Sequence, residues 1–257
     1  MSSNLSSPER QNQILQLLAR NQRISVAEVC ETFDVSEATA RRDLEALAEQ
    51  GKLQRVHGGA IALREAPPEA PILQREREQA AEKIRIGLAA SALVQDGETV
   101  FLGSGSTVLE AARALRTKEN LTVITNSLPV INTLAGLPNI TLICLGGQLR
   151  ESELSFIGHI TEQALTEVRA DKVLLGIRAI SLEHGLTNDY LPETMTDRAI
   201  LRIGREVILL ADHTKLGRVA PAFVAPLESI HILVTDSAAP PDFLDALRER
   251  GIRLVVA

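Results

Sequence analysis

Between residues 99 and 256, seven short apolar runs alternate with helix-patterned stretches: 99–102, 121–125, 140–145, 172–177, 207–211, 230–234 and 252–256. Runs this short do not make buried helices, and their regular separation by helical segments leaves few ways to satisfy the backbone. The pattern predicts an α/β unit with a mostly parallel sheet, covered by helices on both faces. Its core must be aliphatic, because aromatic residues make up only 2% of the 257-residue chain and tryptophan is absent. An amphipathic stretch over 72–94 predicts one long helix leading into the first strand. In open parallel sheets ligands settle outside the carboxyl ends of the strands, so the loops there are the first place to look for a site.

The first 65 residues follow a different pattern. Pro8 suits the first turn of a helix whose stripe of Ile14, Leu17 and Leu18 ends near Asn21. Ser25 and Glu28 make a capping box, and Val26, Val29, Cys30 and Phe33 follow at helical spacing. After Asp34-Val35-Ser36 another helix buries Ala40, Leu44, Leu47 and Ala48, and no strand-like run stands in 8–50. Two short helices joined in this way predict a helix-turn-helix at about 25–49. The stretch KLQRVHGGAIAL, 52–63, reads as a hairpin turning at Gly58-Gly59, so 1–65 is expected to be a winged helix-turn-helix. Proline-rich 66–71 reads as a linker, and 72–257 as the α/β unit.

The outward face of the second helix of the pair shows Ala38, Thr39, Arg42 and Ala46, with Arg41 on its flank. Small residues around one arginine near a helix N-terminus suit the major groove of double-stranded DNA. Arg42 can bond a guanine bidentately, and Thr39 or Ala38 can touch a thymine methyl. Ser36 at the helix start, Arg41, Lys52, Arg55 and His57 are candidates for phosphate contacts. A competing reading is a solvated, salt-bridged face on a protein-docking module. Residues 1–65 hold eight Lys/Arg against nine Asp/Glu, and Arg41 lies one turn from Glu37 and Glu45. Adjacent arginines followed by a hairpin bearing Arg55 and His57 favour DNA. The net charge of −6 supplies no global pull toward nucleic acid, and the scarcity of aromatics argues against a single-strand reader.

Four loops at predicted strand ends share an anion-binding character. The first, Gly103-Ser104-Gly105-Ser106-Thr107, opens onto a helix N-terminus, where free N–H groups and the helix dipole point the same way. It lacks both the third glycine of a dinucleotide fingerprint and a Walker lysine. The others are Thr125-Asn126-Ser127, Gly146-Gly147 with Arg150, and the stretch from Asp212 through Lys215 to Arg218. Backbone amides with Ser106, Thr107, Ser127 and Lys215 can hold phosphate oxygens, and Asn126, Asn188 and Asp189 can bond sugar hydroxyls. Each loop alone reads equally as a turn or a cap; together they favour a phosphate pocket. The histidines at 159, 184, 213 and 231 share no ligand spacing, and no motif asks for a metal or cofactor. Cys30 and Cys144 sit among apolar residues and are expected in the core. A polar N-terminus without a signal pattern, and no apolar run of about 18 residues, give the expectation of a cytoplasmic protein without membrane contact.

Residues 25–61 resemble the N-terminal signature of the DeoR family of bacterial transcriptional regulators. The match lies in Ser-x-x-Thr-x-Arg-Arg-Asp-Leu at 36–44 and Arg-x-His-Gly-Gly-Ala at 55–60. The resemblance extends along the chain. It implies a repressor of carbohydrate-metabolism genes, homo-oligomeric as a dimer or tetramer, released from operator DNA by a phosphorylated sugar or related metabolite. It further implies a C-terminal fold similar to ribose-5-phosphate isomerase and CoA transferases, and hence an alternative: a sugar-phosphate isomerase, with Glu193, Asp189 or Asp212 as base. Two departures stand out. Gly103 replaces the aspartate that commonly begins the glycine loop, and Asp197-Arg198 replaces a Lys-Arg pair.

Overall fold

The computed structural model describes residues 5–21, 23–62, 64–65 and 70–257. Most of the expected linker, 66–69, lies outside the described residues. The N-terminal helices are α1 (Ser7–Asn21), α2 (Val26–Phe33) and α3 (Glu37–Glu49). The capping box forms: Glu28 N–H donates to Ser25 Oγ at 3.1 Å, and Ser25 N–H donates to the Glu28 carboxylate at 2.6 Å. Asp34 turns out of α2 at φ 52, and Ser36 Oγ accepts the Thr39 N–H at 3.3 Å to start α3. Ile14, Leu18, Val29, Ala40, Leu44, Leu47 and Leu53 pack into one core. Inside it Arg10 Nε donates to Asp43 Oδ2 at 2.5 Å, tying α1 to α3.

The wing has three strands, β1 (Arg23–Ser25), β2 (Leu53–Val56) and β3 (Gly59–Ala62), antiparallel in the order β1-β3-β2. β1 corrects the expectation of no strand before residue 50: three residues are too few to show alternation, and the pairing partners lie far along the chain, with Ser25 opposite Gly59. The turn is also displaced by one residue. Val56 pairs with Gly59, so His57-Gly58 forms the two-residue loop, with Gly58 at φ 78. Gly59 is needed for another reason: a Cβ there would stand 2.3 Å from the Ile24 carbonyl oxygen. A two-residue strand β4 (Arg64–Glu65) follows.

Instead of one helix over 72–94 there are two, α4 (Ile72–Arg75) and α5 (Ala80–Ala92), broken where Gln79 takes φ 49. The apolar spacing runs on through the break, which is held by buried polar groups: Arg75 donates to the Glu153 carboxylate, and Lys83 Nζ donates back to the Arg75 carbonyl at 2.5 Å. Then come β5 (Thr99–Leu102), α6 (Ser106–Leu115), β6 (Leu121–Thr125), α7 (Leu128–Leu134) and β7 (Ile140–Cys144). A hairpin of β8 (Gln148–Arg150) and β9 (Ser155–Ile157) leads to α8 (His159–Thr166), β10 (Ala170–Gly176), β11 (Ala179–Ser181) and β12 (Gly185–Asn188). The chain closes with α9 (Thr194–Ile203), β13 (Gly204–Leu210), β14 (Arg218–Val219), β15 (Ala222–Ala225), β16 (Ile232–Thr235), α10 (Pro241–Glu249) and β17 (Arg253–Val256).

All seven expected runs enter one parallel sheet, ordered β17-β16-β13-β10-β5-β6-β7. Alternation along each strand feeds two cores. Val100 and Leu102 join the core under α5, α6 and α7, while Phe101 joins the one under α8, α9 and α10. Each fully buried side chain of this size contributes about 1.5–3 kcal/mol. Cys144 is exposed, against expectation, because β7 is an edge strand whose last residues leave the cover of the helices; Cys30 is half-buried. The small antiparallel sheet β11-β12-β15 and the β8-β9 hairpin have no counterpart among the expected runs. Val56 of the wing belongs to the same core as Ile180, Leu182 and Leu216, and β4 pairs in parallel with β14, so the wing is seated on the α/β lobe. Among the described residues no helix is long and apolar enough to cross a membrane.

Candidate functional site

The chain runs from β5 outward to β6 and β7, then returns to place β10 on the other side of β5. This reversal parts the loops after β5 and β10, and the crevice at such a switch point is where open parallel sheets bind ligands. A cavity opens there. Its walls come from α4, α5, the glycine loop, β10, the β8-β9 hairpin, α9 and the loop after β13.

One contributor is the N-terminus of α6. Gly105 precedes it at φ 114, no side chain caps the helix, and Ser106 and Thr107 line the cavity while largely buried. Uncapped amides of a first turn are ready donors for an anion. Lys83 and Lys215 line the same cavity. Burial pulls the Lys83 ammonium below the ordinary lysine value; the Asp212 carboxylate opposes that shift, and Lys215 and Arg75 add to it. Asp212 itself is turned to its own loop, accepting the Thr214 N–H at 2.9 Å.

The cavity is also bordered by a lattice of paired charges. Arg150 is bound to the Glu193 carboxylate and lies 4.7 Å from the centre of the Tyr190 ring. Arg178 Nε donates to Asp189 at 3.0 Å, and Asn188 accepts the Arg178 backbone N–H at 3.3 Å while donating to Asp197 Oδ2 at 2.6 Å. Burial pushes the Asp197 carboxyl up to about 7, against the Asn188 hydrogen bond and the attraction of Arg150 and Arg198, with Glu153 adding to the rise.

Of the expected effector residues, Ser104, Gly105, Ser106, Thr107, Arg150, Asn188 and Lys215 share this cavity. Gly103, Asn126, Ser127, Gly147 and Asp189 are not among its lining residues. Gly103 allows close packing, since a Cβ would meet Leu175 Cδ1 at 2.7 Å, and Gly147 leaves room for Thr161. Asn126 Nδ2 donates to the Phe156 carbonyl at 2.9 Å, fixing the β9 hairpin, and the Ser127 N–H donates to Thr125 Oγ1. Sequence reasoning missed Arg75, Lys83, Glu153 and Arg178 as lining residues, and marked Asp197 only as a departure from the family pattern. Lys83 had a signal: it stands three and seven residues before Ile86 and Ala90 on the buried face of α5, where a lysine needs a reason.

On the N-terminal unit, Ser36, Ala38, Arg42, Lys52 and His57 are exposed, and Thr39 is half-buried with its hydroxyl 2.9 Å from that of Ser36. Arg41 is paired with Glu37 one turn away, whereas no ion pair of Arg42 occurs among the described residues. Half-buried Arg55 donates to the Gly59 carbonyl at 2.6 Å and so braces the wing; burial and the Arg41 charge lower its pKa, against the pull of Glu45. Arg41, Arg55 and His57 also line a cleft whose far wall is Leu182, Ala246, Glu249 and Arg250.

Comparison with known families finds a helix-turn-helix domain followed by a sensor domain. Residues 10–66 match the DeoR-like helix-turn-helix domain, and 78–237 match the DeoR C terminal sensor domain. The chain belongs to the DeoR family. The "Transcriptional repressor AccR" of Agrobacterium fabrum is 34% identical over 233 residues, 90% of each chain. The "Glycerol-3-phosphate regulon repressor" of Escherichia coli is 35% identical over 246 residues, 96% of this chain and 97% of its own. Among solved structures, ribose 5-phosphate isomerase A of Methanocaldococcus jannaschii aligns with 54% of this chain and 55% of its own, at 20% identity and a TM-score of 0.40. In this DeoR-family chain the helix-turn-helix is α2 and α3, and the sensor match begins at Glu78, on the cavity wall.

Proposed function

We propose that this DeoR-family regulator represses genes of carbohydrate metabolism and is released from its operator when a phosphorylated sugar or related metabolite enters the switch-point cavity. The observation that carries the ligand class is the uncapped N-terminus of α6 with Lys83 and Lys215 lining the same cavity. A phosphate dianion there is bonded by backbone amides and neutralised by two ammonium groups. The name of one relative, the glycerol-3-phosphate regulon repressor, supports a phosphorylated effector. On this reading Ser104 to Thr107, Lys83 and Lys215 hold the phosphate, and Arg150 and Asn188 face the remainder of the ligand.

At the operator, Arg42 reads a base while Ser36, Arg41, Lys52 and His57 hold phosphates, and Arg55 sets the pitch of the wing. Two copies of the chain present two recognition helices to half-sites about 34 Å apart, or a multiple of it. Release requires no chemistry. The three carboxylates named as candidate isomerase bases have other partners: Glu193 is bound to Arg150, Asp189 to Arg178, and Asp212 to its own loop. That supports a sensor working without turnover. The test is a thermal-shift screen of the full chain against phosphorylated sugars and their unphosphorylated parents. A true effector at 100 times its dissociation constant adds about 2.7 kcal/mol of stability, whereas equal responses to phosphorylated and parent sugars refute the phosphate assignment.

A further inference from the structure

The phosphate-binding reading gives Asp197 no task. Its side chain forms part of the cavity wall and is only 7% exposed. Asn188 Nδ2 donates to Oδ2 at 2.6 Å, and among the described residues Oδ1 has no hydrogen-bond partner. Neither nearby arginine is paired with it: Arg150 is bound to Glu193, and Arg198 is turned away to the carbonyls of Phe223 and Val224, at 2.6 and 3.0 Å. Asp197 is therefore a buried acid, half hydrogen-bonded, facing a ligand space with no cation paired to it.

Lys83, Lys215 and the first turn of α6 line the same cavity as Asp197 and Asn188. A hydroxyl at Asp197 satisfies the open oxygen but brings no charge to the buried carboxylate. An ammonium group supplies bond and charge together, through a charge-assisted bond about twice as strong as a neutral one. Burial, with Glu153, pushes this carboxyl up to about 7 against the Asn188 hydrogen bond and the attraction of Arg150 and Arg198.

We infer that the effector, taken under the reading above to be a phosphate ester, also carries an ammonium group that pairs with Asp197: the phosphate ester of an amino sugar. Calorimetric titration of the full chain at neutral pH tests this. The probes are inorganic phosphate, the 6-phosphates of glucose and galactose, those of glucosamine and galactosamine, and the N-acetylated forms of the last two. At least one amino sugar phosphate is expected to bind about tenfold tighter than its hydroxyl and N-acetyl counterparts. In Asp197→Asn, which keeps the shape and the Asn188 contact, that ratio falls to within about twofold while inorganic phosphate binds as before. Equal affinities for amino and hydroxyl partners in the wild type, or an undiminished preference in the variant, overturn the inference while leaving the phosphate site standing. Absence of binding by every phosphorylated probe overturns both.

Discussion

Two buried acids in this chain are shifted in opposite directions because Asp43 is ion-paired with Arg10 whereas no ion pair of Asp197 occurs among the described residues. Burial tends to raise the Asp43 pKa, but hydrogen bonds from Arg10, Ser7 and Gln11 bring it below the ordinary value of 3.8. Its folded pKa is depressed, so its contribution is present above about pH 4 and is lost as the pH falls through the folded value. Asp43→Asn is expected to cost about 3–5 kcal/mol at neutral pH, the penalty for stranding buried Arg10. That difference from the wild type, read by chemical denaturation, should shrink at pH 3. For Asp197 the sign is reversed: with a folded pKa near 7, ionisation opposes folding, so a penalty absent below about pH 4 grows until pH 7 is passed. Without ligand, Asp197→Asn should therefore raise the melting temperature more at pH 8 than at pH 5; an equal effect at both would contradict the assignment. Neither behaviour is legible in sequence, where both are aspartates on helix faces. What separates them is Arg10, 33 positions away in one case, and the pairing of Arg150 with Glu193 in the other.

At the scale of elements, legibility followed apolar content and length. The seven parallel strands announce themselves as short apolar runs, the inner ones buried on both faces, and α2 and α3 because Ser25 and Ser36 cap them. The short strands β1, β8, β9 and β11 are three residues each, and only partners elsewhere in the chain define them. The break between α4 and α5 hides inside a continuous apolar pattern, since it is made by Arg75 and Lys83, polar residues whose burial no periodicity reveals. That break is also what brings Lys83 to the cavity. Lys83→Met removes a costly buried ammonium but also its bond to the Arg75 carbonyl, and is expected to weaken binding of phosphorylated ligands by about tenfold or more whatever its effect on the unliganded melting temperature. A loss of stability together with unchanged ligand affinity would assign Lys83 a purely structural role.

For the molecule as a whole, the cavity and the wing share one connecting segment. Asp212, Thr214 and Lys215 line the cavity; two residues on, the Gly217 N–H donates to the Ile180 carbonyl at 2.8 Å, and Arg218 and Val219 pair with β4. Gly217 has φ 69, and a Cβ there would stand 3.3 Å from Ile61 Cδ1 on the wing. Gly217→Ala should cost about 1–2 kcal/mol from left-handed strain and reduce the effect of ligand on DNA affinity more than it reduces ligand affinity itself, a split that paired calorimetry and DNA titrations resolve. The central claim is that occupation of the cavity governs the hold of α3 on DNA. It is tested most directly by fluorescence anisotropy on DNA from the gene's own upstream region, with and without a phosphorylated sugar that stabilises the chain. The ligand is expected to weaken wild-type binding by roughly 5- to 150-fold, the usual span of allosteric coupling. Arg42→Ala is expected to lose about the same factor without ligand, as one bidentate base contact of 1–3 kcal/mol requires. Operator affinity unmoved by a saturating stabilising ligand, or an Arg42→Ala protein that binds as the wild type does, would contradict the account.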